Sequence, residues 1–157
     1  MELKARELTE DGFSSYGYFI DNRGQEPLEK NDRFTFWGKL KIFAMGPDIS
    51  AGIVEGHKVE NFKVETVEKH SNTSELLTGL NKDSVVLVGC LQPGQRRIDY
   101  TPFIIREGQT IVLKPGIWHS PPLPLEKNCR LLVLYNEGTA GNDVEEKQLS
   151  EYFINVT

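Results

Sequence analysis

The stretch Phe62-Lys63-Val64-Glu65-Thr66-Val67-Glu68-Lys69-His70-Ser71-Asn72-Thr73-Ser74-Glu75 decides the fold. Its first nine residues have the composition of a strand, in which successive side chains point to opposite faces. Phe62, Val64, Thr66, Glu68 and His70 then share one face, and Lys63, Glu65, Val67 and Lys69 the other. The first face is apolar at one end and carries a carboxylate and an imidazole at the other. That pattern predicts a sheet with a packed bottom and a polar mouth. Ser71 to Ser74 are turn formers, after which the chain returns as Glu75-Leu76-Leu77. A second stretch, Gly108-Gln109-Thr110-Ile111-Val112-Leu113-Lys114-Pro115-Gly116-Ile117-Trp118-His119, reads as a strand, a Pro-Gly turn and a histidine opening the next strand. Together the two stretches place Glu68, His70, Glu75 and His119 on facing walls of a small β-barrel.

Outward from this centre the pattern stays β. Strands are expected at 34–37, 40–45, 49–54, 62–70, 75–80, 84–91, 103–105, 110–113 and 129–135, separated by turns such as Gly46-Pro47-Asp48, Asn81-Lys82-Asp83 and Gln92-Pro93-Gly94-Gln95. Ser120-Pro121-Pro122-Leu123-Pro124 lacks several backbone donors and suits an edge or a loop. Thr9 before Glu10-Asp11 predicts a cap for one helical turn through Phe13, and 144–152 reads as a short helix. Phe13, Tyr16, Tyr18, Phe19 and Ile20 are expected to pack on the barrel exterior, with 21–33 a polar surface loop. Many short strands with close turns predict an all-β sandwich or barrel. The whole chain, 1–157, reads as one domain, with 1–33 an N-terminal extension packing on the barrel.

Composition bounds the function. The 157 residues are 38% hydrophobic and 26% charged, ordinary for a globular domain with a real core. A net charge of −5, without a basic aromatic stripe, speaks against a nucleic-acid module. No apolar run approaches a membrane span and the Met1-Glu2-Leu3-Lys4 start is no signal peptide, so a cytoplasmic protein is expected. Cys90 and Cys129 stand apart with no metal-binding spacing and read as small buried hydrophobes in a reducing compartment. The sequons Asn72-Thr73-Ser74 and Asn155-Val156-Thr157 have no meaning without secretion. Glu137 to Asp143 is Gly-rich but lacks a nucleotide-binding pattern.

His70 and His119 are two of only three histidines. A lone histidine is more often a hydrogen-bonded structural residue than a ligand. Two of them at this spacing, with Glu68 and Glu75, point to a metal site. Mixed imidazole and carboxylate ligands suit Mn, Fe, Co, Ni or Zn without choosing among them. The bland alternative pairs Glu68 with Lys114 or another cation in a metal-free barrel. His57, in a turn-like stretch, reads as a surface residue. Trp118 reads as packing or as a pocket wall.

The spacing of these residues resembles the cupin superfamily. Glu68-x-His70-x4-Glu75 is similar to the first cupin motif with Glu in its first His position. Gly108 and His119 keep the distance of the second motif. The likeness is greater to the ureidoglycolate lyase family of cupins, formerly called ureidoglycolate hydrolases. It is carried by Phe13-Ser14-Ser15-Tyr16-Gly17, Val67-Glu68-Lys69-His70, Ile117-Trp118-His119-Ser120-Pro121 and the stretch from Gly138 to Asp143-Val144-Glu145. Tyr135-Asn136-Glu137 and Lys114-Pro115-Gly116 depart from it, standing where basic residues or a His-Arg-Asn run would be expected. Lys114, Arg96, Arg97 or Arg130 would then have to meet a substrate carboxylate.

The resemblance implies a double-stranded β-helix, or jelly-roll, barrel with short peripheral helices. It implies C–N cleavage of a small hydroxy-acid or ureido substrate to glyoxylate and urea. Glu68, His70, Glu75 and His119 would hold a divalent transition metal, with Glu68 or Glu75 as base. Lys114, Trp118, Tyr135 and Asn136 would bind a small polar metabolite, and the protein would be a homodimer with neither nucleic-acid nor membrane partners. A sugar isomerase or epimerase, or a non-catalytic metabolite-binding cupin, are the alternatives.

Overall fold

The computed structural model describes residues 1–156, so Thr157, the last residue of the second sequon, lies outside the described residues. In chain order the elements are β1 (Glu2–Lys4), β2 (Arg6–Glu7), α1 (Glu10–Phe13), β3 (Gly17–Ile20), β4 (Glu29–Lys30), β5 (Thr35–Phe36), β6 (Ile49–Gly56) and β7 (Lys63–Lys69). There follow β8 (Glu75–Thr78), β9 (Ser84–Cys90), β10 (Asp99–Ile105), β11 (Thr110–Leu113), β12 (Trp118–His119), β13 (Leu123–Pro124), β14 (Cys129–Asn136), α2 (Thr139–Asn142) and β15 (Glu145–Asn155). One sheet runs β1-β15-β7-β12-β9-β10-β2, with β13 also on β9; the other runs β3-β11-β8-β14-β6; β4 and β5 form a small hairpin. The protein is an all-β barrel of two facing sheets, the jelly-roll class of architecture.

Two apolar clusters hold it. The first draws on both sheets, with Phe19, Leu77, Ile111, Leu113, Leu131 and Val133 from one meeting Val86, Val88, Phe103 and Ile105 from the other. It is therefore the filling of the barrel. The second contains Val64, Val67, Val85, Leu87, Tyr100, Ile104, Trp118 and Ile154, all on strands of the first sheet. It covers that sheet's outer face. β9 contributes alternate residues to each cluster, which is why Ser84 to Cys90 reads as an unbroken apolar run: it is covered on both sides.

Several expectations are corrected. Of residues 144–152, expected as a helix, 145–152 are strand. Their Glu, Lys and Gln favour a helix in isolation, but β15 pairs along β7 and Leu149, Tyr152 and Ile154 join the outer cluster. Within 40–45 no strand forms; Phe43 stacks on Tyr18 instead, with ring centres 6.4 Å apart, and only Thr35–Phe36 of 34–37 is paired. Phe13 and Tyr16 sit in the barrel filling rather than on its exterior, edge-on to Phe103 at 5.3 and 5.8 Å. The one-turn helix they follow is capped as expected, by Thr9 Oγ1 accepting the Gly12 N–H. The strict alternation of 62–70 breaks, because Val64 and Val67 both belong to the outer cluster, while Glu68 and His70 do share the wall of one cleft. Residues near the N-terminus supply strands to the sheets: β1 runs parallel to β15, β2 parallel to β10, and β3 antiparallel to β11.

Candidate metal centre

The site forms where the chain leaves one sheet for the other. β12 is wedged between β7 and β9 and sets His119 directly opposite Glu68. His70 directly follows β7, the turn 71–74 crosses the barrel edge, and Glu75 opens β8 in the second sheet opposite Leu113. The two stretches are also tied directly: Gly116, at φ 82°, donates its N–H to the His70 carbonyl at 2.7 Å. That left-handed position after Pro115 is one that glycine occupies without a steric cost.

Glu75 Oε2 lies 3.1 Å from His70 Nε2 and 3.2 Å from His119 Nε2, and Glu68 Oε1 lies 3.8 Å from His119 Nε2. The other ring nitrogens face main-chain carbonyls: His70 Nδ1 meets Asp143 O at 2.7 Å and His119 Nδ1 meets Ile117 O at 3.0 Å. A carbonyl only accepts, so both rings donate from Nδ1 and turn Nε2 toward the shared site. His70, Glu75 and His119 are buried, and Glu68 stands at the rim with 36% of its side chain exposed.

The electrostatics follow from this packing. Burial would push the His70 imidazole down, but the carboxylate of Glu75 and the Asp143 carbonyl outweigh it and raise the group to about 9. His119 is raised in the same way, burial being opposed by Glu75 and the Ile117 carbonyl. Burial would raise Glu75, yet the His119 and His70 imidazoles beside its carboxylate hold it at about 2. Without a ligand the Glu75 carboxylate therefore favours the protonated form of both rings, and the rings favour its ionised form.

The residues fit a metal ion. Glu68, His70 and His119 each offer one ligand atom, and these atoms lie within 4.8 Å of one another. Glu75 Oε2 and His119 Nε2 are buried and, despite their proximity, make no well-formed hydrogen bond. A buried polar atom left in that state is costly, and a cation would satisfy His119 Nε2. Glu75 approaches both imidazoles but stands outside the convergent set of three.

The centre opens into a cleft of about 690 Å³, whose walls include Gly52, Ile53 and Val54 of β6, Val133 and Tyr135 of β14, Thr139 and Ala140 of α2, and Val144 with Glu146. Among the described residues that line it there is no lysine or arginine.

A family model described as ureidoglycolate lyase matches residues 1–156. The chain belongs to the ureidoglycolate lyase family. A ureidoglycolate lyase from Agrobacterium fabrum (strain C58 / ATCC 33970) is 26% identical over 157 residues, spanning 97% of this chain and 94% of that one. Vicilin from Corylus avellana (hazelnut) aligns with a TM-score of 0.43 at 10% identity, covering 82% of this chain and 40% of its own. Membership of the lyase family supports a lyase-type function on a small metabolite. Among the described residues no helix is long and apolar enough to cross a membrane.

Set beside that family assignment, the structure brings together Glu68, His70, Glu75 and His119, with Tyr135 on the same cleft and its ring 6.5 Å from that of His70. It does not bring the other candidates there. Trp118 is packed in the outer cluster, with Lys69 Nζ 4.7 Å and Lys147 Nζ 5.8 Å from its ring centre. Lys114 donates to the Ser14 carbonyl at 2.6 Å and lies 5.2 Å from the Tyr18 ring centre. Asn136 bonds Gly46 N–H and the Asn72 carbonyl, and together with Lys114 lines a neighbouring hollow. Glu146 and Thr139 of the cleft wall were missed. Glu146 fell in an expected helix, and only its strand pairing with Glu68 reveals it.

Proposed function

We propose that this protein is a metal-dependent ureidoglycolate lyase that splits ureidoglycolate into glyoxylate and urea. The reading rests on one observation above others: in a chain of this family, two imidazoles turn Nε2 toward Glu68 and Glu75 at the floor of a cleft. A divalent ion held by Glu68, His70 and His119 would supply Lewis-acid polarisation of the substrate's hydroxyl and carboxylate oxygens. Glu75 is the base. Its carboxylate is held in the ionised form and so is free to accept a proton. Glu75 takes the hydroxyl proton, the O–H electrons form the aldehyde carbonyl, and the C–N pair leaves with the ureido nitrogen. The proton passes from Glu75 to that nitrogen, so the products are glyoxylate and intact urea and no water is consumed. Tyr135 forms the facing wall against which the substrate is oriented.

A cleft with no lysine or arginine among its described lining residues favours one second reading, a neutral sugar substrate for an isomerase or epimerase. The test is to strip the protein with chelator, reload it with Mn, Co, Ni or Zn, and offer ureidoglycolate beside a panel of aldoses and ketoses. Metal-dependent loss of ureidoglycolate supports the lyase. Turnover of sugars alone supports the second reading. Ligand-induced stabilisation with no turnover leaves a metabolite-binding protein. We place the protein in the cytoplasm as a homodimer, and sedimentation equilibrium returning the 17.8 kDa monomer would remove the dimer.

A further inference from the structure

Asp143 makes two separate attachments behind the metal centre. Its main-chain carbonyl receives the Nδ1–H of His70 at 2.7 Å. Its carboxylate grips the turn that follows His70: Oδ1 accepts from the Ser71 N–H at 2.9 Å and from Asn72 Nδ2 at 3.1 Å, and Oδ2 accepts from the Asn72 N–H at 2.8 Å. The same residue ends α2, donating its N–H to the Thr139 carbonyl at 2.9 Å. The turn is held from a third side by Asn136, whose N–H bonds Thr73 Oγ1 at 2.9 Å and whose Nδ2 bonds the Asn72 carbonyl at 3.1 Å.

We propose that Asp143 is a positioning residue for the metal centre: its carboxylate locks the turn 71–72 to the end of α2 and so fixes the carbonyl that orients His70. The inference rests on the metal-site part of the proposed function. One residue holds the imidazole through its main chain and the adjoining backbone through its side chain. Two attachments from one residue remove the freedom of the carbonyl to swing, and that sets both the tautomer and the tilt of the ring. A ligand ring must keep its orientation to within about 10–20° to remain productive. Partners of the second ring nitrogen are worth about 10–100-fold in metal affinity. Without the grip, Nδ1–H turns to water and Nε2 drifts from the point shared with Glu68 and His119.

The test compares Asp143→Ala and Asp143→Asn with Asp83→Ala. Asp83 is a similar clamp, accepting the Glu107 N–H and Arg106 Nη1 at 2.8 Å each, and does not line the cleft. Zinc affinity is measured by calorimetry on the full chain, and the ring tautomer of His70 in the metal-free protein by 15N NMR near pH 10. Asp143→Ala is expected to weaken zinc binding about 10–100-fold and to replace a pure Nδ1–H ring with a mixture of tautomers. Asp143→Asn, which keeps one acceptor oxygen, falls between, and Asp83→Ala changes neither readout. An Asp143→Asn protein that is folded and matches the wild type in both measurements overturns the proposal. So does an equal loss in Asp83→Ala. If the wild type itself binds no zinc, the metal reading fails on its own, and the tautomer measurement still decides the role of Asp143.

Discussion

Replacing Glu75 by Gln in the metal-free protein tests the electrostatic reading of the site most fully. Glu75 is buried between the imidazoles of His70 and His119, and its carboxylate is the largest of the influences that raise both. For His70 the ordinary value of 6.5 rises to about 9 in the folded protein. At about 1.36 kcal/mol per pH unit, that corresponds to about 3 kcal/mol of stability. Because the folded value lies above the unfolded one, this contribution is complete below about pH 6.5 and disappears as pH rises through about 9. Against a total stability of about 5–15 kcal/mol the change is large. Urea denaturation in chelator from pH 6 to pH 10 reads it as the difference between wild type and Glu75→Gln. The variant is expected to lose the larger part of that about 3 kcal/mol at pH 6, the Asp143 carbonyl and Glu68 keeping the rest, with the gap closing toward pH 10. A gap of constant size across that range would refute the reasoning, since it would mean that Glu75 stabilises without coupling to the imidazoles.

Other outcomes follow from single contacts. Glu68→Ala and His119→Ala are expected to lose transition-metal binding while keeping the β-type circular dichroism of the wild type. Gly17→Ala would place a Cβ 1.9 Å from the Val112 carbonyl oxygen, so the β3–β11 edge must move; a loss of about 1–3 kcal/mol or more is expected in urea melts. Phe103→Ala removes the ring against which Phe13 and Tyr16 pack and is expected to cost about 3–5 kcal/mol. Thr9→Ala deletes the cap on α1 and should cost only about 1 kcal/mol.

The site was legible because its determinants are local. The alternation Glu68-x-His70 survives any register, the turn formers 71–74 bring Glu75 back, and the Pro115-Gly116 turn presents His119. The β class was legible for the same reason, from short apolar runs punctuated by Gly, Pro and Asn. What escaped depends on partners far away in sequence. Residues 145–155 become a strand because β7 offers them a ladder, and nothing within 145–155 announces that. Val67 is buried because the first sheet is covered on its outer face, a fact carried by β9 and Ile154 rather than by Val67 itself. Trp118 looks like a pocket wall because it precedes His119, but adjacent strand residues face opposite ways, so placing His119 in the site commits Trp118 to the other side. Asn136 was expected to bind the metabolite, and Asp143 entered only as part of the stretch that carries the family likeness. Their hydrogen bonds to the 71–74 turn are visible only once β7, β14 and α2 have come together.

The most direct test of the central claim is the product analysis of ureidoglycolate turnover by 13C NMR, with metal-loaded wild type beside the metal-stripped protein. Glyoxylate and intact urea are expected in equal amounts, formed only by the loaded protein. Release of ammonia and carbon dioxide in place of urea, or equal turnover by the stripped protein, would contradict the claim.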